Sequence, residues 1–232
     1  VALLRGRDER TRLARYWAYA HAADPAALDG DAVAAYCALM SASQPLVADE
    51  ILHAYPLHEH RCVLDVGGGE GRFLEAALGS APALEGILFD LPPVAQRAAR
   101  RLSHAPHGAR MRCVGGDFMR DPLPRGADLA TLVRVVHDHD DATVRALLRA
   151  VRDALPPGGV ALIAEPMAGA PGAEVVGDAY FGLYLYAMGH GRARTPRALQ
   201  AMLREAGFES PRLLSNPTPL QTQVIVARVP SA

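Results

Sequence analysis

A short buried-strand pattern, Cys62-Val63-Leu64-Asp65-Val66, runs directly into Gly67-Gly68-Gly69-Glu70-Gly71, and a helical stretch follows over Arg72–Leu78. No other feature constrains the fold as much. Glycine lets backbone approach a ligand closely and offers N–H groups beside a helix N-terminus. In open α/β sheets such a crevice lies at the carboxyl ends of the strands. The alternation continues downstream. Gly86–Asp90 reads as a strand, Val94–Leu102 as a helix and Met111–Val114 as a strand. Leu129–Val136 reads as a long apolar strand, and Ala142–Leu155 as a helix with Val144, Leu147, Leu148 and Val151 at apolar spacing. After the Pro157-Gly158-Gly159 turn come a strand over Val160–Ala164, a helix over Leu199–Ala206 and a final strand over Gln223–Val229. Strands alternating with helices predict an α/β fold, a doubly wound, Rossmann-like parallel sheet covered on both faces.

The first 55 residues have a different texture. Residues 1–23 look helical, with Leu3, Leu4, Leu13, Tyr16 and Trp17 as apolar positions, until Asp24-Pro25 breaks the pattern. Asp31 is placed to cap a second helix, Ala32 to about Tyr55, bent near Pro45. This divides the chain into a helical packing or dimerisation segment, 1–55, and a ligand-binding domain, 56–232. The chain has 232 residues, half of them hydrophobic, enough for one substantial core. A net charge of −1 offers no global basic field for nucleic acid. No apolar run reaches the ~18 residues of a membrane span. Cys37, Cys62 and Cys113 form no CxxC pair and are odd in number, the pattern expected of a reduced cytoplasmic protein.

Several nucleotide-binding classes share a glycine loop, so its partners decide. The glycines at 67, 69 and 71 are closer together than in the dinucleotide fingerprint GxGxxG, and no GxxxxGK[ST] occurs. Asp90 ends the next strand, where a carboxylate can accept both hydroxyls of a ribose. Asp117, in Gly115-Gly116-Asp117-Phe118, follows the third strand and can accept an adenine amino group, with Phe118 covering the ring. The plainer reading makes Asp90 and Asp117 turn residues. Their recurrence at successive strand ends favours a cofactor.

Asp65-Val66-Gly67-Gly68-Gly69-Glu70-Gly71, Phe89-Asp90-Leu91-Pro92, Gly116-Asp117-Phe118 and Arg134-Val135-Val136-His137-Asp138 occur in this order. From about Met40 onward the chain resembles the caffeate-type, metal-independent O-methyltransferase family. The resemblance implies a class I fold binding S-adenosylmethionine over Gly67, Asp90, Leu91, Asp117 and Phe118, with no metal. It also implies a homodimer built by an N-terminal winged-helix domain, of which this chain, beginning at Val1, keeps only the last helices and so is expected to be truncated.

The same resemblance assigns His137 as the general base that takes a proton from a substrate hydroxyl, with Asp138 and Glu165 as carboxylates beside it. A carboxylate at the end of the fifth strand can fix the imidazole tautomer. The plainer alternatives are a buried histidine bonded to backbone and a strand-end carboxylate. The remaining histidines read as surface or structural, and Asp140 or Asp141 is expected to cap a helix. The chain departs from the plant pattern at Val133, where a lysine is usual, and at Ala193, where a second acidic partner is usual, so Glu165 alone is expected to steer the base.

The stretch Gly177–Gly189 is rich in aromatics and, with Met167 and Met188, suits an apolar acceptor, although a packing helix would look the same. Local strings such as Gly177-Asp178-Ala179-Tyr180-Phe181-Gly182 resemble a bacterial branch of the family that methylates the tertiary hydroxyl of acyclic carotenoids. The alternatives are carbon methylation of a bacteriochlorophyll precursor, polyketide O-methylation, and a non-catalytic cofactor-binding regulator. A nicotinamide dehydrogenase is disfavoured by the glycine spacing and by the lack of a Tyr-x-x-x-Lys pair. A lipophilic acceptor would bring the protein to a membrane surface at its periphery.

Overall fold

The computed structural model describes residues 30–169, 173–215 and 222–231. The expected helix over 1–23 and its Asp24-Pro25 break lie outside them. Seven strands form one sheet in the order β3-β2-β1-β4-β5-β7-β6. They are β1 (Cys62–Val66), β2 (Glu85–Asp90), β3 (Met111–Gly115), β4 (Leu129–Val133), β5 (Val160–Glu165), β6 (Glu209–Leu213) and β7 (Gln223–Arg228). The described α-helices are α1 (Gly30–Ala54), α2 (Arg72–Ser80), α3 (Pro92–Leu102), α4 (Asp141–Ala154), α5 (Phe181–Met188) and α6 (Pro196–Glu205).

Strands β1 to β5 pair in parallel. Alternation along β1 sends side chains to opposite layers. Leu64 and Val66 share a core with Val144, Leu147 and Leu148 of α4 and Leu199 of α6. Val63 packs on the other face with Phe73 and Leu74 of α2 and with Val47, Ala48 and Ile51 of α1. Each such buried aliphatic or aromatic side chain contributes roughly 1.5–3 kcal/mol. Asp140 caps α4, its carboxylate accepting the Thr143 N–H. The chain runs outward from β1 through β2 to β3, then crosses back to β4 on the other side of β1. The order therefore reverses between β1 and β4, and the crevice at their carboxyl ends is the place a ligand enters.

Three expectations change. The sheet is not parallel throughout: β7 runs antiparallel to both β5 and β6. Only residues 214–222 separate β6 from β7, too few for a parallel crossover, which takes a dozen or more. Strand β6 went unread because Glu209-Ser210-Pro211-Arg212-Leu213 is polar and proline-bearing, and its pairing slips between Glu209 and Arg212. Those are marks of an edge strand. Strand β4 stops at Val133 rather than Val136, because Arg134 takes a left-handed φ of 57° and turns the chain. Finally, Asp31 lies inside α1 rather than before it, while α1 carries Pro45 inside one continuous helix as expected.

Candidate active site

The glycine loop lines a cleft of about 930 Å³, counting its open mouth. Gly67, Gly69 and Gly71 all hold left-handed φ, at 70°, 57° and 76°. A Cβ at Gly67 would stand 2.7 Å from Val135 Cγ2, and one at Gly68 would stand 2.7 Å from Asp65 Oδ2. At Gly69 nothing lies within 4 Å, so the middle of the loop faces open space. Asp90 braces it: Oδ2 accepts the Gly69 N–H at 2.8 Å and Oδ1 accepts the Leu91 N–H at 2.7 Å. Burial pushes the Asp90 carboxyl up to about 6 in spite of these two bonds.

Asp65 sits below the loop, within β1. Its Oδ1 accepts the Thr131 hydroxyl at 2.7 Å, while its buried Oδ2 has no partner. Burial raises this carboxyl to about 7. Above the cleft, Cys37, Met40, Ser41 and Gln44 of α1 form a roof. Two links hold the roof. Arg134 donates from Nη1 to Ser43 Oγ at 2.7 Å and from Nη2 to the Met40 carbonyl at 2.9 Å. Glu70 of the glycine loop accepts from Ser41 Oγ at 3.3 Å and from Arg97 Nη2 at 3.0 Å.

His137 lies on a tight turn, Val136–Asp138, beyond the end of β4. Glu165, at the end of β5 and 2% exposed, organises that turn. Its Oε1 accepts the N–H groups of Val135 at 2.8 Å and Val136 at 2.6 Å, and its Oε2 accepts from His137 Nδ1. The other imidazole nitrogen, Nε2, lies 3.3 Å from Asp138 Oδ1, an ionic contact without hydrogen-bond geometry. Burial alone would lower the His137 pKa, but Asp138 and Glu165 outweigh it and hold the value above the usual 6.5. Burial pushes Asp138 up to about 6. The Phe181 ring stands edge-on to the imidazole with centroids 6.1 Å apart.

Gly67, Asp90, Phe118 and Asp138 all line the one cleft. His137 and Glu165 stand directly behind Asp138. Two further expected cofactor residues, Leu91 and Asp117, are not among the cleft-lining side chains. The Leu91 side chain packs with Cys37 and Val94. Asp117 serves its own turn, accepting the Met119 N–H at 2.9 Å and lying 3.6 Å from Arg120 Nε. Met167 and Met188 are buried in packing rather than turned to a cavity.

Four groups on the site were not singled out in the sequence. Asp65 is a charged residue inside an apolar strand, a signal that was there to read. His139, whose sequence context reads as structural, lines the cleft edge-on to Phe118 at 5.2 Å, and burial beside His190 and His137 lowers its pKa to about 4. The roof residues of α1 lie in a stretch without any motif. Arg194, 3% exposed, is a buried cation in a segment that reads as loop. Among the described residues no cluster of three His, Cys, Asp or Glu side chains is arranged to hold a metal ion.

A seven-stranded sheet with this switch-point cleft, glycine loop and buried histidine–glutamate pair defines a small-molecule methyltransferase scaffold. The chain belongs to the O-methyltransferase domain family, whose model matches residues 5–209. It is similar to the demethylspheroidene O-methyltransferase of Cereibacter sphaeroides, 41% identical over 231 residues, which are 100% of this chain and 60% of the relative. The enzyme of that name from Rhodobacter capsulatus is 42% identical over 234 residues, covering 98% of this chain and 56% of the relative. Human N-acetylserotonin methyltransferase in complex with SAM superposes with a TM-score of 0.80 at 25% identity, covering 99% of this chain and 66% of that one. The chain thus spans about 60% of the length of the demethylspheroidene relatives.

Proposed function

We propose that the protein transfers a methyl group from S-adenosylmethionine to the hydroxyl of an apolar small molecule, and that the acceptor is an acyclic carotenoid alcohol of the demethylspheroidene type. The observation that carries the reaction is the Glu165–His137–Asp138 group, buried against a glycine-loop cleft. The residues present fit the donor. Asp65 Oδ2 is a buried, unpartnered acceptor suited to an ammonium group, and the site left by the missing Cβ of Gly68 would otherwise be filled against it. Asp90 suits a ribose, and Phe118 at the cleft wall suits the face of an adenine. S-adenosylmethionine supplies an electrophilic methyl group on a positively charged sulfur.

The chain's own residues supply orientation and proton management. Glu165 accepts a hydrogen bond from Nδ1–H, which holds the proton on Nδ1 and so leaves Nε2 as the basic nitrogen, the logic of a carboxylate–imidazole pair. An acceptor hydroxyl meeting Nε2 would lose its proton to His137 as its oxygen forms the new C–O bond. A donor held in the cleft would supply the methyl group and leave as the neutral thioether, while Glu165 and Asp138 would stabilise the imidazolium. Phe181, with Tyr184 6.1 Å beyond it, gives the base an apolar approach.

The likeness to the two demethylspheroidene enzymes supports the carotenoid reading. Exposed Val175, Tyr180, Leu183 and Tyr186 support a homodimer or peripheral contact with a membrane, and the three free cysteines support a cytoplasmic protein. The deciding experiment incubates the protein with a labelled methyl donor and a hydroxycarotenoid, then locates the label by mass spectrometry. A methyl ether is expected. Label on carbon, or none on any hydroxylated acceptor, refutes the proposal.

A further inference from the structure

One loop, residues 190–194, takes hold of the catalytic turn at every carbonyl it exposes. The Arg194 guanidinium donates from Nη1 to the Val136 carbonyl at 2.9 Å and from Nη2 to the His139 carbonyl at 2.7 Å. The Arg192 N–H donates to the His137 carbonyl at 2.8 Å, and His190 Nδ1 donates to the Asp138 carbonyl at 2.7 Å. Four consecutive carbonyls, 136 to 139, are thus satisfied from one side, while Glu165 satisfies the N–H groups of Val135 and Val136 from the other. Gly191, at φ 76°, makes the approach possible: a Cβ there would stand 2.2 Å from the His137 carbonyl oxygen. Arg194 is itself anchored. Its Nε and Nη2 bond Asp141 Oδ1 at 2.9 and 2.7 Å, and its carbonyl accepts the Ala168 N–H at 3.0 Å, just past the end of β5.

We propose that Arg194 is a positioning residue for methyl transfer, clamping the His137 turn between the end of β5 and the start of α4 so that the imidazole stays aligned between Glu165 and Asp138. The inference rests on His137 acting as the base. The turn forms only two backbone bonds of its own, from the Asp138 N–H to the Val135 carbonyl at 3.2 Å and from the His139 N–H to the Val136 carbonyl at 3.3 Å, so the carbonyls of His137, Asp138 and His139 need outside donors. A planar guanidinium can reach two of them and a carboxylate together, whereas an ammonium cannot. Arg194 does not line the cofactor cleft, so its loss should act on turnover rather than on donor binding.

The test compares Arg194→Lys, which keeps the charge, with Arg194→Ala and with His137→Gln. In Arg194→Lys, kcat should fall about 10- to 100-fold, the usual penalty for a misplaced reacting group, with the KM for S-adenosylmethionine unchanged. The His137 ring resonances in [¹⁵N]histidine-labelled protein, assigned by their loss in His137→Gln, should titrate at lower pH because Glu165 and Asp138 no longer hold the ring as closely. Arg134, His139 and His190 remain in place in this variant. If Arg194→Ala does not fold, Arg194→Lys decides alone. A ring titration within about 0.3 pH unit of wild type overturns the inference whatever happens to the rate. An unchanged rate in His137→Gln overturns the base reading instead.

Discussion

Glu165→Gln isolates the part of the site that the proposed chemistry needs most. The glutamine oxygen can still accept from Val135 and Val136, so the turn keeps its two backbone bonds. The amide NH₂ then faces His137 Nδ1, where a carboxylate accepted before. Nδ1 must become the acceptor, the proton moves to Nε2, and the nitrogen that should take the substrate proton is blocked. The lost charge-assisted bond is worth about 1.5–3 kcal/mol, which predicts a fall in single-turnover rate of about 10- to 150-fold. The pH profile gives a second reading. In the wild type burial lowers the His137 pKa, and Asp138 and Glu165 more than reverse this, so the acid limb of kcat should lie above 6.5. Removing one carboxylate moves that limb to lower pH. The same raised value stabilises the fold at pH below about 6.5, an effect lost as pH rises through the folded pKa. The variant, keeping only Asp138, should show less of it. A rate within about threefold of wild type, with an unmoved acid limb, would refute the reasoning.

Three further predictions follow from the same geometry. His137→Gln should lower single-turnover methyl transfer by ~10²–10⁴-fold while calorimetry shows unchanged donor affinity; a rate near wild type makes His137 structural. Asp90→Ala should weaken S-adenosylmethionine binding by about 1.5–3 kcal/mol for each charge-assisted bond lost, and unchanged affinity by calorimetry refutes the ribose assignment. Asp65, raised by burial from 3.8 to about 7, keeps a proton that the unfolded chain has already released, so ligand-free stability should fall as pH rises between these values. Asp65→Asn should therefore stabilise the ligand-free protein at pH 8 by at most on the order of 4 kcal/mol, seen as a higher melting temperature, and leave the melting temperature nearly unchanged at pH 4. An equal shift at both pH values in scanning calorimetry would contradict this.

The core architecture was legible along the chain because its causes are local. Strands β1, β2, β3 and β5 announce themselves as apolar runs meeting glycine, aspartate or proline. Helix α4 shows its buried face at Val144, Leu147, Leu148 and Val151. The glycine loop and Asp90 can be placed from spacing alone, because a cofactor cradle at strand ends needs residues adjacent in sequence. What could not be read depends on partners distant in sequence. The end of β4 is set by Arg134 reaching back to Met40 and Ser43, and by Glu165 drawing Val135 and Val136 out of the ladder. Strand β6 has no apolar pattern because it sits at the edge, and the antiparallel β7 follows from that hairpin.

The site divides in the same way. Sequence by itself determined that Glu165 ends one strand, that His137 and Asp138 follow the neighbouring one, and that Gly67 and Asp90 belong to one crevice. Only the tertiary structure decided that Asp65 keeps an unpartnered oxygen under the loop, that α1 roofs the cleft, that His139 lines it, and that Arg194 clasps the His137 turn. The physical reason is that a buried polar group is defined by its partners. A charged residue in an apolar strand or an arginine in a loop shows its role only when the chain brings the carbonyls, carboxylates and hydroxyls that meet it to within 3 Å.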